Sequence, residues 1–383
     1  MRYRSTSILL VGLAVPTTLA AQSIETGPVD LRLSGRVQVQ YNTTSIDEDD
    51  VASDFDDEIP FSVFETRRVR FSLEAEIDDW ITGKLEPDFA LGKLSLKDAW
   101  INLGFDPRFE LRIGQFKKPF SLIELTSSTK IPTIERGVRI RGLAEAFEPV
   151  RRADGGQLLT DFDGDPVFGE EYEMLDALGY VGHDIGIAVH GSFGRIGYEL
   201  GVFNGNGPDA RDDNSEKSAA ARVTVRPLTD RPLTLGVNTS YRELRFDGTI
   251  DGVEFEGAEL DGAVFGVDAE WGEFRRPGLH VLAEVVGGNN LLTDQTLLGA
   301  QAIAAWFFAR DGERVEGLEP LLRVSYGDAD LDRDLDRGVL VTPGFNLYFF
   351  GRNRLQFNWD IFFSEAERVD TAHSLRAQAQ VFF

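Results

Sequence analysis

Thirteen basic residues in two stretches are the side chains of this sequence best placed to do chemistry. Arg67, Arg68 and Arg70 fall in ETRRVRFSLEAEIDDW (65 to 80). Ten Lys or Arg fall between 108 and 152, where Lys117, Lys118, Lys130, Arg136, Arg139 and Arg141 recur through RIGQFKKPFSLIELTSSTKIPTIERGVRIRGLAEAFEPVRR (112 to 152). Five Glu accompany these ten, a local charge of +5, against −30 for the rest of a chain whose net charge is −25. An anion that leaves water needs replacement hydrogen bonds. Arginine offers a planar fork and lysine a point charge to phosphate or carboxylate oxygens. Several moderate sites in series bind such an anion without trapping it. The nine residues Arg67, Arg68, Arg70, Lys117, Lys118, Lys130, Arg136, Arg139 and Arg141 are the candidate anion-binding series. A second reading of the same residues is structural: they pair with Glu124, Glu135, Glu145, Glu148, Glu74, Glu76 and Glu86 and fix a loop to a wall.

Other chemistries find less in the sequence. It has no cysteine, hence no disulfide and no thiolate ligand or nucleophile. Its four histidines, His183, His190, His280 and His373, include no HExxH pair, and no metal site is expected. DFDGDPVFGEE (161 to 171) lacks the residue order of a calcium loop and reads as a solvated acidic loop or a divalent bridge to lipopolysaccharide. His190 and Ser192 share one face of a strand, but an imidazole and a hydroxyl on a wall are ordinary polar lining, so no catalytic residue and no cofactor are expected. A pI near 4.6 argues against nucleic acid as a partner.

The elements that must position the basic residues are strands. Residues 1–21, with Arg2 and Arg4 before an apolar run and then small residues, predict a secretory signal peptide. No later segment offers the roughly 18 apolar residues of a membrane helix. A membrane form of this chain must therefore be a closed β-barrel, which satisfies every backbone group in lipid. Leu31 to Thr43 alternates Leu31, Leu33, Val37, Val39 and Tyr41 against Arg32, Ser34, Arg36, Gln38 and Gln40, the pattern of a strand with lipid on one side and lumen on the other. Similar segments give sixteen strands, with breaks at Asp78-Asp79, Gly92 and Phe193-Gly194, and long connections at 44 to 60, 119 to 180, 205 to 215 and 243 to 259. Long acidic loops on one end and short turns on the other match outer-membrane barrels. The expected architecture is all-β: a 16-stranded antiparallel transmembrane barrel over 22–383, closing on SLRAQAQVFF, with aromatics such as Trp80, Phe105, Trp306 and Phe350 at its rims. EEYEMLDALGY (170 to 180) predicts a short helix.

Three blocks, ETRRVRFSLEAEIDDW (65 to 80), LKDAWINLG (96 to 104) and LRIGQFKKPFSLIELTSSTKIPTIERG (111 to 137), resemble the phosphate-selective porin family. The resemblance implies a homotrimer in the outer membrane of a Gram-negative bacterium, in contact with lipid and lipopolysaccharide. It also implies an infolded third outer loop (119–180) and passage of small anions of the phosphate class. In that family neighbouring arginines of the second strand and a loop lysine line the narrowest point, here Arg67, Arg68 and Lys130. Strict alternation, however, turns Arg68 and Arg70 inward and Arg67 outward. A lipid-facing Arg at mid-membrane costs roughly 2–4 kcal/mol, so a bulge at Arg67 or an interfacial position is required. A general diffusion or cation-preferring porin remains the alternative, on the strength of the acidic loops.

Overall fold

Period-two alternation needs a surface with two unlike sides, and the chain supplies it sixteen times over. The computed structural model describes residues 22–25, 29–47, 61–139, 169–208, 215–250, 253–332, 337–365 and 371–383. The proposed signal peptide (1–21) lies outside them. A four-residue strand β1 (Gln22–Glu25) precedes β2 (Val29–Asp47), β3 (Phe61–Ile77), β4 (Ile81–Asp88), β5 (Ser95–Asp106), β6 (Phe109–Lys117), β7 (His183–Phe193), β8 (Ile196–Phe203) and β9 (Ser218–Val225). The second half comprises β10 (Leu233–Ile250), β11 (Val253–Trp271), β12 (Gly278–Asn290), β13 (Gln295–Ala309), β14 (Gly317–Asp328), β15 (Arg337–Tyr348), β16 (Arg354–Ser364) and β17 (Thr371–Phe382).

Each strand from β2 onward pairs antiparallel with the next, and β17 returns to β2 with Ala377 opposite Tyr41 and Phe382 opposite Arg36. Strands β2 to β17 thus close a sixteen-stranded barrel with no free edge. Phe383 completes the seam: its N–H donates to the Gly35 carbonyl at 3.0 Å, and its carbonyl accepts from the Gly35 N–H at 2.7 Å. Below that point β1 takes over as the neighbour of β2, Gln22 facing Leu33.

The two faces separate as the alternation requires. Leu375 and Val381 of β17 are half exposed on the outside, whereas Arg376, Gln378 and Gln380 are buried inside, as are Gln38 and Gln40 of β2. The outer apolar face meets lipid and the polar inner face surrounds the lumen. Aromatics gather at the rim of short turns, where Trp80, Phe105 and Phe109 follow one another at centroid spacings of 6.0 and 6.1 Å. Among the described residues no helix is long and apolar enough to cross a membrane.

Two connections differ from the sequence expectation. The break at Gly92 widens to residues 89 to 94, because Asp88 Oδ1 accepts from the backbone N–H of Val69 and Ala90, both at 3.1 Å, and ends β4 early. Leu91 and Gly92 then turn through positive φ, 54° and 73°, outside the extended region that a regular strand keeps. The expected long loop at 243 to 259 is mostly strand, since β10 and β11 continue to Ile250 and Val253, which face each other. Beyond the membrane both faces of a hairpin are wet, so its residues carry no alternation and read as loop.

Candidate functional site

The site begins with an irregularity in β3. Gln38 pairs with Arg68 but the adjacent Val39 pairs with Thr66, so Arg67 is the extra residue of a β-bulge. A bulge rotates one residue out of the alternation, and here it brings Arg67 and Arg68 to the same carboxylate. Arg67 Nε donates to Glu135 Oε1 at 2.7 Å and Arg67 Nη2 to Oε2 at 3.0 Å, while Arg68 Nη2 donates to Oε2 at 3.1 Å. The lipid-facing arginine that strict alternation would have produced is avoided.

Glu135 belongs to the segment that follows β6. This segment contains helix α1 (Leu122–Leu125) and reads irregular elsewhere up to 139, so no ladder serves its backbone groups. Inward side chains of the wall serve them instead. Glu284 of β12 accepts from Ser121 Oγ at 2.7 Å and from the Leu122 N–H at 2.6 Å. Asn358 of β16 accepts from the Ile134 N–H at 2.7 Å, Arg354 Nη2 donates to the Ile131 carbonyl at 2.9 Å, and Arg323 Nη1 of β14 donates to the Glu135 carbonyl at 3.0 Å. Gln38 of β2 donates to the Ser128 carbonyl at 3.2 Å. A second helix, α2 (Glu171–Ala177), buries Met174 and Leu175 in an apolar cluster with Phe116, Phe203, Val286 and Leu297.

Between this segment and the wall formed by β2 to β5 lies a cavity of about 1250 Å³. Fourteen Lys or Arg and six Asp or Glu line it, a net charge of +8 with histidine neutral. Many of these cations are paired. Arg70 Nε lies 2.6 Å from Asp88 Oδ2, Arg36 Nη2 lies 2.6 Å from Glu86 Oε1, and Lys84 Nζ lies 2.6 Å from Asp98 Oδ2. Lys117 Nζ stands 2.9 Å and Arg136 Nε 3.4 Å from the carboxylate of Glu124, which also accepts from Tyr172 Oη at 2.6 Å. Burial opposes the ionisation of Glu124 and Glu135, but the Lys117 and Arg136 charges outweigh it at Glu124, and the Arg67 and Arg68 guanidiniums at Glu135. Both carboxyls are held well below the usual carboxylate range.

The candidate residues therefore divide. Arg67, Arg68, Arg70, Lys117, Lys118, Arg136 and Arg139 all line the cavity. Arg139 is exposed, and its carbonyl accepts from Arg376 of β17. Lys130 is exposed too but does not line the cavity; the preceding residue, Thr129, meets Arg352 and Gln380 near the β15–β16 turn. Arg141 lies outside the described residues, as do Glu145, Glu148 and most of 161 to 171. Arg36, Lys84 and Arg242 line the cavity without having been candidates. Arg36 was legible as an inward position of β2, whereas Arg242 sits in a β10 sequence with no basic run to mark it. His190 Nε2 is 2.6 Å from Asn102 Oδ1 and 3.4 Å from Arg112 Nη2, so its ring meets an amide and a guanidinium of neighbouring strands. Among the described residues no group of three or more His, Asp or Glu is arranged to hold a metal ion.

A closed sixteen-strand barrel with an apolar exterior and a charged lumen defines the class of outer-membrane porins, channels for passive diffusion. The match of residues 32–259 to the model of phosphate-selective porins O and P shows that the chain belongs to that family. No curated protein matches the sequence. Among solved structures, the fold is similar to the outer membrane channel DcaP of Acinetobacter baumannii (12% identity, 95% of this chain and 100% of that one, TM-score 0.56). It is similar as well to outer-membrane expressed OmpT of Vibrio cholerae (11% identity, 94% and 100%, TM-score 0.54) and to OprB of Pseudomonas putida (11%, 93% and 94%, TM-score 0.56). The chain is thus a diffusion channel of a Gram-negative outer membrane.

Proposed function

We propose that this channel passes small anions of the phosphate class, with the loop 119–180 as its constriction loop, of which 119 to 139 and 169 to 180 are described, and with Arg67, Arg68, Arg70, Lys117, Lys118, Arg136 and Arg139 as its selecting charges. The observation that carries the reading is the sign of the lining: +8 around the cavity in a protein of net charge −25. Low-dielectric walls focus such a field on whatever enters. Because Glu124 and Glu135 each hold two cations, the basic side chains stay fixed and present donors without collapsing onto one solute. The family's description, phosphate-selective, supports the solute class. OmpT of Vibrio cholerae has a trimer form, and a homotrimer is the assembly we propose here. The extensive ion pairing favours a second reading, a general diffusion porin in which the cations serve mainly as fasteners. Reversal potential in a planar bilayer under a KCl gradient, followed by phosphate titration of the chloride current, separates the two. Anion preference with block by phosphate supports the proposal, and cation preference without block overturns it.

A further inference from the structure

Lys118 and Arg242 differ from the cations gathered around Glu124 and Glu135. Lys118 lies just past the end of β6 and Arg242 within β10, and both are more than nine-tenths buried. Their heads converge on consecutive carbonyls: Arg242 Nη1 donates to Leu178 O at 2.7 Å, and Lys118 Nζ donates to Gly179 O. Arg242 Nη2 reaches Gly205 O at 3.4 Å, and its Nε is buried with no partner. Among the described residues no carboxylate comes within ion-pair distance of either head. Asp184 of β7, which faces them, accepts instead from the backbone N–H of Ile185 at 2.8 Å and of Gly205 at 2.9 Å. Both cations line the cavity beside Gly205 and Gly207, whose φ of 92° and 78° let the backbone pass without a side chain. Two buried positive charges without a carboxylate partner are costly, and an unused guanidinium N–H adds to the cost.

We propose that Lys118, Arg242 and the Gly205–Gly207 turn form a second anion site, distinct from the Arg67–Arg68–Glu135 cluster, that takes a small doubly charged oxyanion of the phosphate or sulfate class. The proposal rests on the anion-channel reading. Lysine has two N–H groups left after Gly179, and Arg242 keeps its Nε–H for the oxyanion. The site lies beyond the ends of β6 and β8, at the end of the barrel that carries the long loops, so a solute from that side meets it before the bulge.

Burial, and then the neighbouring charge of Arg242, bring the Lys118 ammonium down to about 8. The other groups facing it are Asp184 of β7, Asp176 of α2 and Glu124 of α1. Sulfate is the probe, because its own charge is constant across this range. In planar bilayers the half-blocking sulfate concentration for chloride current should rise about tenfold in Lys118→Gln and in Arg242→Gln, the loss of about 1.4 kcal/mol. In the native channel it should rise between about pH 7 and pH 9 as Lys118 loses its proton, and Lys118→Arg should hold it flat because arginine stays charged. Heat-modifiable gel mobility checks that each variant is a folded barrel. If either Gln variant does not fold, Lys118→Arg decides alone: a flat response supports the site, and a rise like that of the native channel refutes it. Native-like block in both folded Gln variants, with block weakened in Arg68→Gln, overturns this site and leaves the anion reading intact. A native channel that prefers cations and is not blocked by sulfate overturns both.

Discussion

Replacing Glu135 by Gln tests how the segment that follows β6 is held. Four hydrogen bonds end on this carboxylate: two from Arg67 at 2.7 and 3.0 Å, one from Arg68 at 3.1 Å and one from Gln40 at 2.9 Å. An amide of the same shape presents an N–H₂ where one oxygen accepted, so donors face donors, and two guanidiniums lose their counter-charge. Breaking a buried ion pair costs roughly 3–5 kcal/mol. Taking the lower figure, the ratio of docked to undocked segment falls about 150-fold. Single-channel recording should show more current noise, and reversal potential should move toward stronger anion preference, because one negative charge has left the lumen. The pH response distinguishes native from variant. Burial raises the Glu135 pKa and the two arginines lower it more, so its folded value lies below the ordinary carboxylate value of about 4.3. The stabilisation is then fully present above about pH 4.3 and is lost only as pH falls through the depressed folded value. The native channel should stay quiet from neutrality to about pH 4, and Glu135→Gln should be noisy throughout. Native noise, native reversal potential and a native unfolding midpoint in a folded Glu135→Gln barrel would refute the reasoning.

Deleting Arg67 should leave a folded barrel, because Thr66 and Arg68 then face Val39 and Gln38 in regular register; its anion preference should fall, as measured by reversal potential. Gly114→Ala should prevent assembly of the heat-modifiable barrel, since Gly114 has φ 131° and an added Cβ would stand 2.2 Å from the Ala99 carbonyl oxygen. Asp360→Asn should lower stability by about 3 kcal/mol in urea titration, because it strands the buried Arg323 and Arg376, which lie 2.9 and 3.0 Å from Asp360. Lys130→Ala, exposed and away from the cavity, should leave the reversal potential unchanged.

What the sequence disclosed and what it concealed follow from how far each signal reaches along the chain. Alternation is local, so every barrel strand was found near its place, and the conflict it created at Arg67 pointed to a bulge at that residue, where Gln38 pairs with Arg68 and Val39 with Thr66. A run of basic residues is also local, and it drew Lys130 into the candidate set with Lys117, Lys118, Arg136 and Arg139, although of these five described residues Lys130 alone does not line the cavity. Pairings across the barrel are not local. Arg36 of β2 meets Glu86 of β4 only once β3 has paired between them, and Arg242 of β10 meets the Leu178 carbonyl only once the segment that ends α2 lies against the wall. The same argument applies to charge. A net −25 with pI near 4.6 suggested a cation-attracting protein, yet seven Asp or Glu against one Arg lie in 243 to 262, largely where β10 and β11 run beyond the apolar alternation. Charges in water are screened over about 8 Å at physiological ionic strength, whereas those inside low-dielectric walls are screened far less. A solute in the cavity therefore responds to the +8 of its lining and hardly to the acid of the hairpin ends. Net charge describes how such a barrel stays soluble at its mouth; the sign of its filter depends on which side chains the barrel turns inward.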